Sequence, residues 1–263
     1  MLVILFLVGL FSSTIGAICG VGGGVIIRPV LDLLQFFDVT VITFLSGCTV
    51  LSMTTYSVLK NFKSQNIGVG DNNIKLLAIG AAIGGLLGKE SFSLLLRVVE
   101  AKEIVGAVQS ATLSAITLST FLYVFLKHRI KTLEVHSKGH SVIIGLVLGL
   151  ISSFIGIGGG PINVVALNYF YSMDTKTAAR NSIFIIFCSQ AVNLTLSILT
   201  CSIPSVRLSF LIAMIIGGIL GGIIGNYVYS KMNNAGVDKL LLILIIFISI
   251  TGAFNTYKYL AMV

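Results

Sequence analysis

Long apolar runs broken by short polar loops set the pattern of this chain. No Asp, Glu, Lys or Arg occurs within 1–27, 39–59, 104–126, 139–173, 181–206, 208–230 or 240–257. About 20 apolar residues cross the hydrocarbon core as a helix. The pattern predicts helical segments at 2–18, 25–36, 40–61, 74–95, 103–127, 140–155, 161–171, 176–200, 207–230 and 237–259. The segments 25–36 and 161–171 are short; a helix of that length rises about 18 Å, too little to cross. Each either returns as the second arm of a hairpin or crosses as a tilted partial helix. The chain is 56% hydrophobic and 10% charged, where a soluble domain carries about 25% charge. These features predict an all-α, multi-pass integral membrane protein.

The short segments follow glycine clusters that occur twice. Residues 20–24 read Gly-Val-Gly-Gly-Gly and residues 156–160 read Gly-Ile-Gly-Gly-Gly, a shift of 136. The same shift aligns Asp38 with Asp174 and Ser46 with Ser182. A second landmark, Gly80, Gly84 and Gly88, recurs at a shift of 137 as Gly217, Gly221 and Gly225. Glycines four apart line one helix face and let a neighbouring backbone come close. The chain therefore reads as two repeats of about five segments, 1–127 and 140–263, around a linker at 128–139. An odd number of segments per repeat makes the two copies face opposite ways, an inverted-repeat topology.

Charge sets the orientation. The net charge is +8, from 17 basic and 9 acidic residues. Placing the linker in the cytoplasm puts 11 of the 17 basic residues on that side, as the positive-inside rule favours. Lys89, Arg97, Lys102, Arg207, Lys258 and Arg28 fall to the other side, and both termini are expected outside. Basic residues spread over loops in this way point to a bilayer and not to nucleic acid. The first apolar run lacks a basic start and an Ala-x-Ala site, so it is expected to remain as a membrane segment rather than act as a signal peptide. Cys19, Cys48, Cys188 and Cys201 form no Cys-x-x-Cys pair, and no metal or other cofactor is expected.

Interrupted helices at matching points of two membrane repeats mark transport sites. A helix that begins just past the break, near Val25 or Pro161, points free N–H groups inward and attracts anions without a buried lysine. Gly20, Gly22, Gly23 and Gly24 with Gly156, Gly158, Gly159 and Gly160 are thus candidate substrate-binding positions. The competing reading is that these glycines only permit a sharp turn and tight packing. Val25 and Pro161 stand where a dinucleotide-binding Gly-x-Gly-x-x-Gly would need glycine.

The stretches GAICGVGGGVIIRPVL (16–31) and SSFIGIGGGPINVVAL (152–167), each ahead of a serine-bearing helix, resemble the TauE/SafE family of sulfite exporters and related transporters. The resemblance covers essentially the whole chain. It implies export or import of small anions such as sulfite, thiosulfate, sulfonates or organic acids. Arg28 departs from the family pattern, in which an uncharged residue commonly precedes the proline. The second repeat has PINVVA where the first has VIIRPV, so the two copies are not chemically equivalent.

Further candidates come from polar groups at membrane depth. Arg28 suits an oxyanion, yet Asp32 one turn later can neutralise it. Asn163 offers an amide either to a ligand or to the broken backbone. Ser46 and Ser182 can donate to an anion or bond their own carbonyls. Arg180 reads as an interfacial anchor or as a guard of the access path. Gln190 and Asn193 read chiefly as glue between helices, and Gln109, Ser110, Ser114 and Thr117 form a polar stripe with the same two readings. His128, His136 and His140 crowd the linker without ligand spacing.

The expectation is a secondary transporter of small anions, working by alternating access and driven by ion or substrate gradients, and not an enzyme. A passive anion channel is the nearest alternative. A membrane enzyme or redox subunit would need clustered His, Cys or acidic residues within the membrane. The anion, the direction of transport and the oligomeric state, a homo-oligomer included, are left open.

Overall fold

A computed structural model describes residues 1–63, 72–98, 102–156 and 159–261. Among the described residues ten α-helices follow one another: α1 (Leu2–Cys19), α2 (Gly24–Leu34), α3 (Val39–Lys63), α4 (Asn72–Val98), α5 (Lys102–Leu126), α6 (Lys138–Ile155), α7 (Pro161–Tyr171), α8 (Thr175–Leu199), α9 (Leu208–Lys231) and α10 (Asn234–Leu260). Among the described residues, eight are long and apolar enough to cross a membrane, all but α2 and α7. The protein is an all-α, multi-pass membrane protein.

Both short helices are return arms. Gly23, at the start of α2, packs on Ser12 and Ser13 of α1, and Ile27 and Leu31 further along α2 share a core cluster with Leu5. Tyr171 at the end of α7 donates to Ser141 near the start of α6, at 2.8 Å. Of the two arrangements open from length alone, the structure takes the hairpin.

Contacts along each interface give the helix directions. α1 runs parallel to α9, with Phe6 and Leu10 at Gly217 and Thr14 at Gly225. α4 runs parallel to α6, with Val142 at Gly80 and Leu150 at Gly88. α3 follows α9, from Thr49 at Gly218 to Ser57 at Asn226. α4 follows α8, from Gly85 at Ser189 to Lys89 at Ser197. α3 and α8 are antiparallel, with Gly47 near Leu194 and Val58 packed on Ile183. α5 and α10 are antiparallel too, with Gly106 at Tyr259 and Thr117 at Ser249. Exchanging the first five helices for the last five maps each of these interfaces onto another of them or onto itself. α1, α3 and α9 share one sense, and α6, α8 and α4 have the other. This arrangement is consistent with the inverted repeats read from the sequence.

The glycine stripes make the closest of these contacts. A β-carbon at Gly80, Gly84 or Gly88 would overlap the carbonyl oxygen of Val142, Leu146 or Leu150 in turn. In lipid, where apolar burial gives helices little reason to associate, such backbone-to-backbone packing is a main source of cohesion.

The linker is exposed along most of its described length and is tied to the bundle at a few points. Leu133 N–H donates to the Tyr169 carbonyl at 2.7 Å and Val135 N–H to that of Phe170 at 2.9 Å. Lys127 Nζ pairs with Asp238 Oδ2 at 2.6 Å, and Thr175 donates to the other oxygen of Asp238, also at 2.6 Å. These bonds hold the linker-side ends of α5, α8 and α10 together.

Candidate functional site

The two glycine breaks use the same local device. α1 stops at Cys19 because Gly20 takes a left-handed conformation (φ 72°) and turns its N–H back to the Gly16 carbonyl. α6 stops at Ile155 in the same way, at Gly156 (φ 76°), whose N–H reaches the Ser152 and Ser153 carbonyls. A side chain in this conformation is strained, so glycine is the natural residue there. α2 and α7 then begin without any side-chain cap, and Pro161 occupies the first turn of α7. Their first N–H groups carry the positive end of the helix dipole. Gly158 lies outside the described residues.

Each break rests on the helix that follows the break in the other half. Gly20 abuts Ala179 of α8, and Gly156 abuts Thr43 of α3; these contacts are equivalent at the shift of 136. Ser182 donates to the Gly20 carbonyl at 2.6 Å, so it serves the broken backbone and not its own helix. Ser46 is buried on α3. Ile186 of α8 faces both Gly22 and Gly159, and Val50 of α3 also lies at Gly22.

Arg28 lies on α2 but reaches across to the second break. Its Nη2 donates to Oε1 of Gln109 on α5, and Gln109 in turn donates to the Phe154 carbonyl at 2.7 Å. Its Nε is 3.7 Å from Asp32 Oδ2, and Tyr259 donates to the other Asp32 oxygen at 3.1 Å. Nη1 is buried, has no partner and points at Gly156, where a β-carbon would overlap it. Arg28 is thus paired with Asp32, while its Nη1 has no hydrogen-bond partner. An unsatisfied buried donor on a guanidinium is costly unless something fills its place.

Beside this donor a cavity of about 400 Å³ opens among α3, α4, α6 and α8. Thr43 and Gly47 form one wall, Lys89 and Phe92 another, and Gln190 and Asn193 a third, with Gly156 and Ser153 also lining it. Its mouth is at Ser197, Ser202 and Pro204, the end of α8 away from the linker. Lys89 Nζ is held by the Ser197 hydroxyl and, at 3.2 Å, by the Asn193 carbonyl. Asn193 donates to Ser153 at 2.9 Å, so it joins α8 to α6, while its Oδ1 lacks a partner. Of the described glycine, serine, arginine and asparagine positions expected from the sequence to bind substrate, Gly156 lines this cavity; Gln190 and Asn193, read chiefly as glue between helices, line it as well.

Asn163 faces a separate void of about 10 Å³, together with Ser152 and Ser189. Oδ1 of Asn163 and both hydroxyls have no partner; the void is of the size that holds one water. Gly22, Gly23 and Gly24 are packed in the α1–α2 turn, and Gly160 caps α7 in an extended conformation. The sequence reading counts Lys89 only among the basic residues of the outer side; α4 continues nine residues beyond it, to Val98. The signal was available: Lys89 lies inside the segment predicted at 74–95, and an ionisable residue within a membrane helix is a candidate by default.

Comparison with known proteins agrees with this picture. The model of a family described as sulfite exporter TauE/SafE matches residues 5–252. The chain is 28% identical over 215 residues to a probable membrane transporter protein, YunE, of Bacillus subtilis, covering 72% of this chain and 75% of that one. It is 30% identical over 184 residues to a probable membrane transporter protein of Haemophilus influenzae, covering 67% of this chain and 64% of that one. No solved structure matches. With a match running through both glycine breaks and nearly end to end, the chain belongs to the sulfite exporter TauE/SafE family.

Proposed function

We propose that the protein is a secondary transporter of small anions that works by alternating access between two inverted halves, 1–127 and 140–263. The substrate sits where the open cavity meets the second break. The observation that carries this reading is the free Arg28 Nη1 aimed at Gly156, on the floor of a cavity whose wall holds Lys89. Lys89 and the amides of Gln190 and Asn193 line the cavity, Arg28 Nη1 lies against its Gly156 wall, and the uncapped start of α7 is beyond the break. That is the chemistry that recognises an oxyanion. The opposed senses of α1/α6, α3/α8 and α4/α9 support the alternating mechanism. With the linker in the cytoplasm, the cavity opens to the outside. Sulfite and related sulfur oxyanions are the first substrates to test, given the description of the matched family.

Counterflow in proteoliposomes tests the proposal. Radiolabelled sulfite or thiosulfate should enter faster when unlabelled anion is trapped inside. Conductance without counterflow would make the protein a channel, and no uptake of any small oxyanion or sulfonate would end the anion reading.

A further inference from the structure

Each wall of the open cavity has an equivalent on the linker face, and there the space is filled. The shift of 137 takes Lys89 to Asn226 and Phe92 to Tyr229; that of 136 takes Phe44 to Arg180, Gly47 to Ile183 and Asn193 to Ser57. The polar framework is kept. Lys89 bonds the Asn193 carbonyl, and Asn226 donates to Ser57 at 2.7 Å.

What differs is how the gap between α3 and α8 is used. On the open side Gly47 leaves room opposite Leu194, and both line the cavity. On the linker side Ile183 packs against Val58, flanked by Phe184 and Phe187. Tyr229 is buried beside Ala179 and Ile18, and its hydroxyl donates to the Lys176 carbonyl at 2.8 Å. The Lys176 ammonium lies 4.9 Å from the centre of the Tyr229 ring and the Arg180 guanidinium 5.3 Å. Gly20 meets the Ala179 backbone. Two cations thus lie over an aromatic ring, and all three residues are the equivalents of cavity-lining ones, Lys176 of Thr40, Arg180 of Phe44 and Tyr229 of Phe92.

We infer that the linker face holds a second anion vestibule, closed in this conformation, with Tyr229 and Ile183 as its plug and Arg180 and Lys176 as its cations. The inference rests on the transporter reading above. Lys176 Nζ also donates to the Met232 carbonyl at 2.6 Å; when Tyr229 withdraws, both cations lose its ring and can turn toward a small oxyanion. The plug leaves as the outer cavity closes, since the inverted halves exchange roles. Arg180 therefore serves the linker-side half of the cycle as Lys89 serves the other.

Sided kinetics on the full chain separate this from a structural role for Arg180. Half-saturation for thiosulfate is measured from each face in vesicles of defined orientation, in the wild type, in Arg180→Gln and in Lys89→Gln. The expected result is a rise of about tenfold on the linker face alone for Arg180→Gln, the scale of one charged hydrogen bond. Lys89→Gln should show the reverse. Equal changes on both faces, or none on the linker face, would overturn the vestibule. A second test uses Val58→Cys with Ile183→Cys. Oxidation should stop counterflow while thiosulfate still binds from the cavity side, and dithiothreitol should restore transport. Unimpaired counterflow in the cross-linked protein would likewise overturn the inference. Absence of anion transport in the wild type would instead refute the transporter reading itself.

Discussion

Arg28 and Gly156, 128 positions apart in the chain, meet at the second break, the unpartnered Nη1 of the arginine lying so close to Gly156 that a β-carbon there would overlap it. The first half thereby places a charge at the interruption in the second half. The equivalent of Arg28 at the shift of 136 is Val164, so the first break receives no such charge. The two breaks consequently share a backbone device and differ in the charge placed against them.

Arg28→Gln should raise the half-saturation concentration for transport about tenfold, through loss of one charged donor. It also leaves Asp32 buried without its partner, which costs about 3–5 kcal/mol when one member of such a pair is removed. The two effects separate in Arg28→Gln with Asp32→Asn. The double variant should recover most of the melting temperature of the detergent-solubilised protein and none of the affinity. Recovery of both would confine Arg28 to holding Asp32.

Gly84→Leu should prevent assembly rather than transport. Its side chain would have to occupy the space of the Leu146 carbonyl, and overpacking of a tight interface costs about 1–3 kcal/mol even where the backbone can give. Size-exclusion profiles should show aggregated protein, and Gly139→Leu, at a glycine with open space around it, should run as the wild type does. A monodisperse Gly84→Leu protein of normal thermal stability would contradict the packing.

The ten helices were legible because a membrane turns hydropathy directly into segment length, and the breaks because left-handed backbone at Gly20 and Gly156 requires glycine. The antiparallel return of α2 was not legible. It depends on Gly23 seating against Ser12 and Ser13, a contact that composition does not encode. The cavity was less legible still. Its walls include Lys89, Gln190 and Asn193, read from the sequence as an outer-side charge and as helix-to-helix glue. Asn193 does act as glue toward Ser153, so the structural role was right and incomplete. Residues on α3, α4 and α8 come together only through the parallel and antiparallel pairings of the bundle, which no local pattern announces.

Ile186 stands between the two breaks, facing Gly22 on one side and Gly159 on the other, with its side chain fully buried. Truncation to Ala removes that partition and leaves a cavity joining the regions of the two interruptions. A large-to-small change of this kind costs about 2–5 kcal/mol, so the variant should melt earlier and still fold at low temperature. Its functional signature should be a leak. Thiosulfate efflux from loaded proteoliposomes should proceed without external anion, whereas the wild type should require it. Ile186→Val, which keeps most of the volume, should stay coupled. Strictly coupled exchange in Ile186→Ala would mean that the barrier between the two vestibules lies elsewhere, with Tyr229 and Val58 as the next residues to truncate.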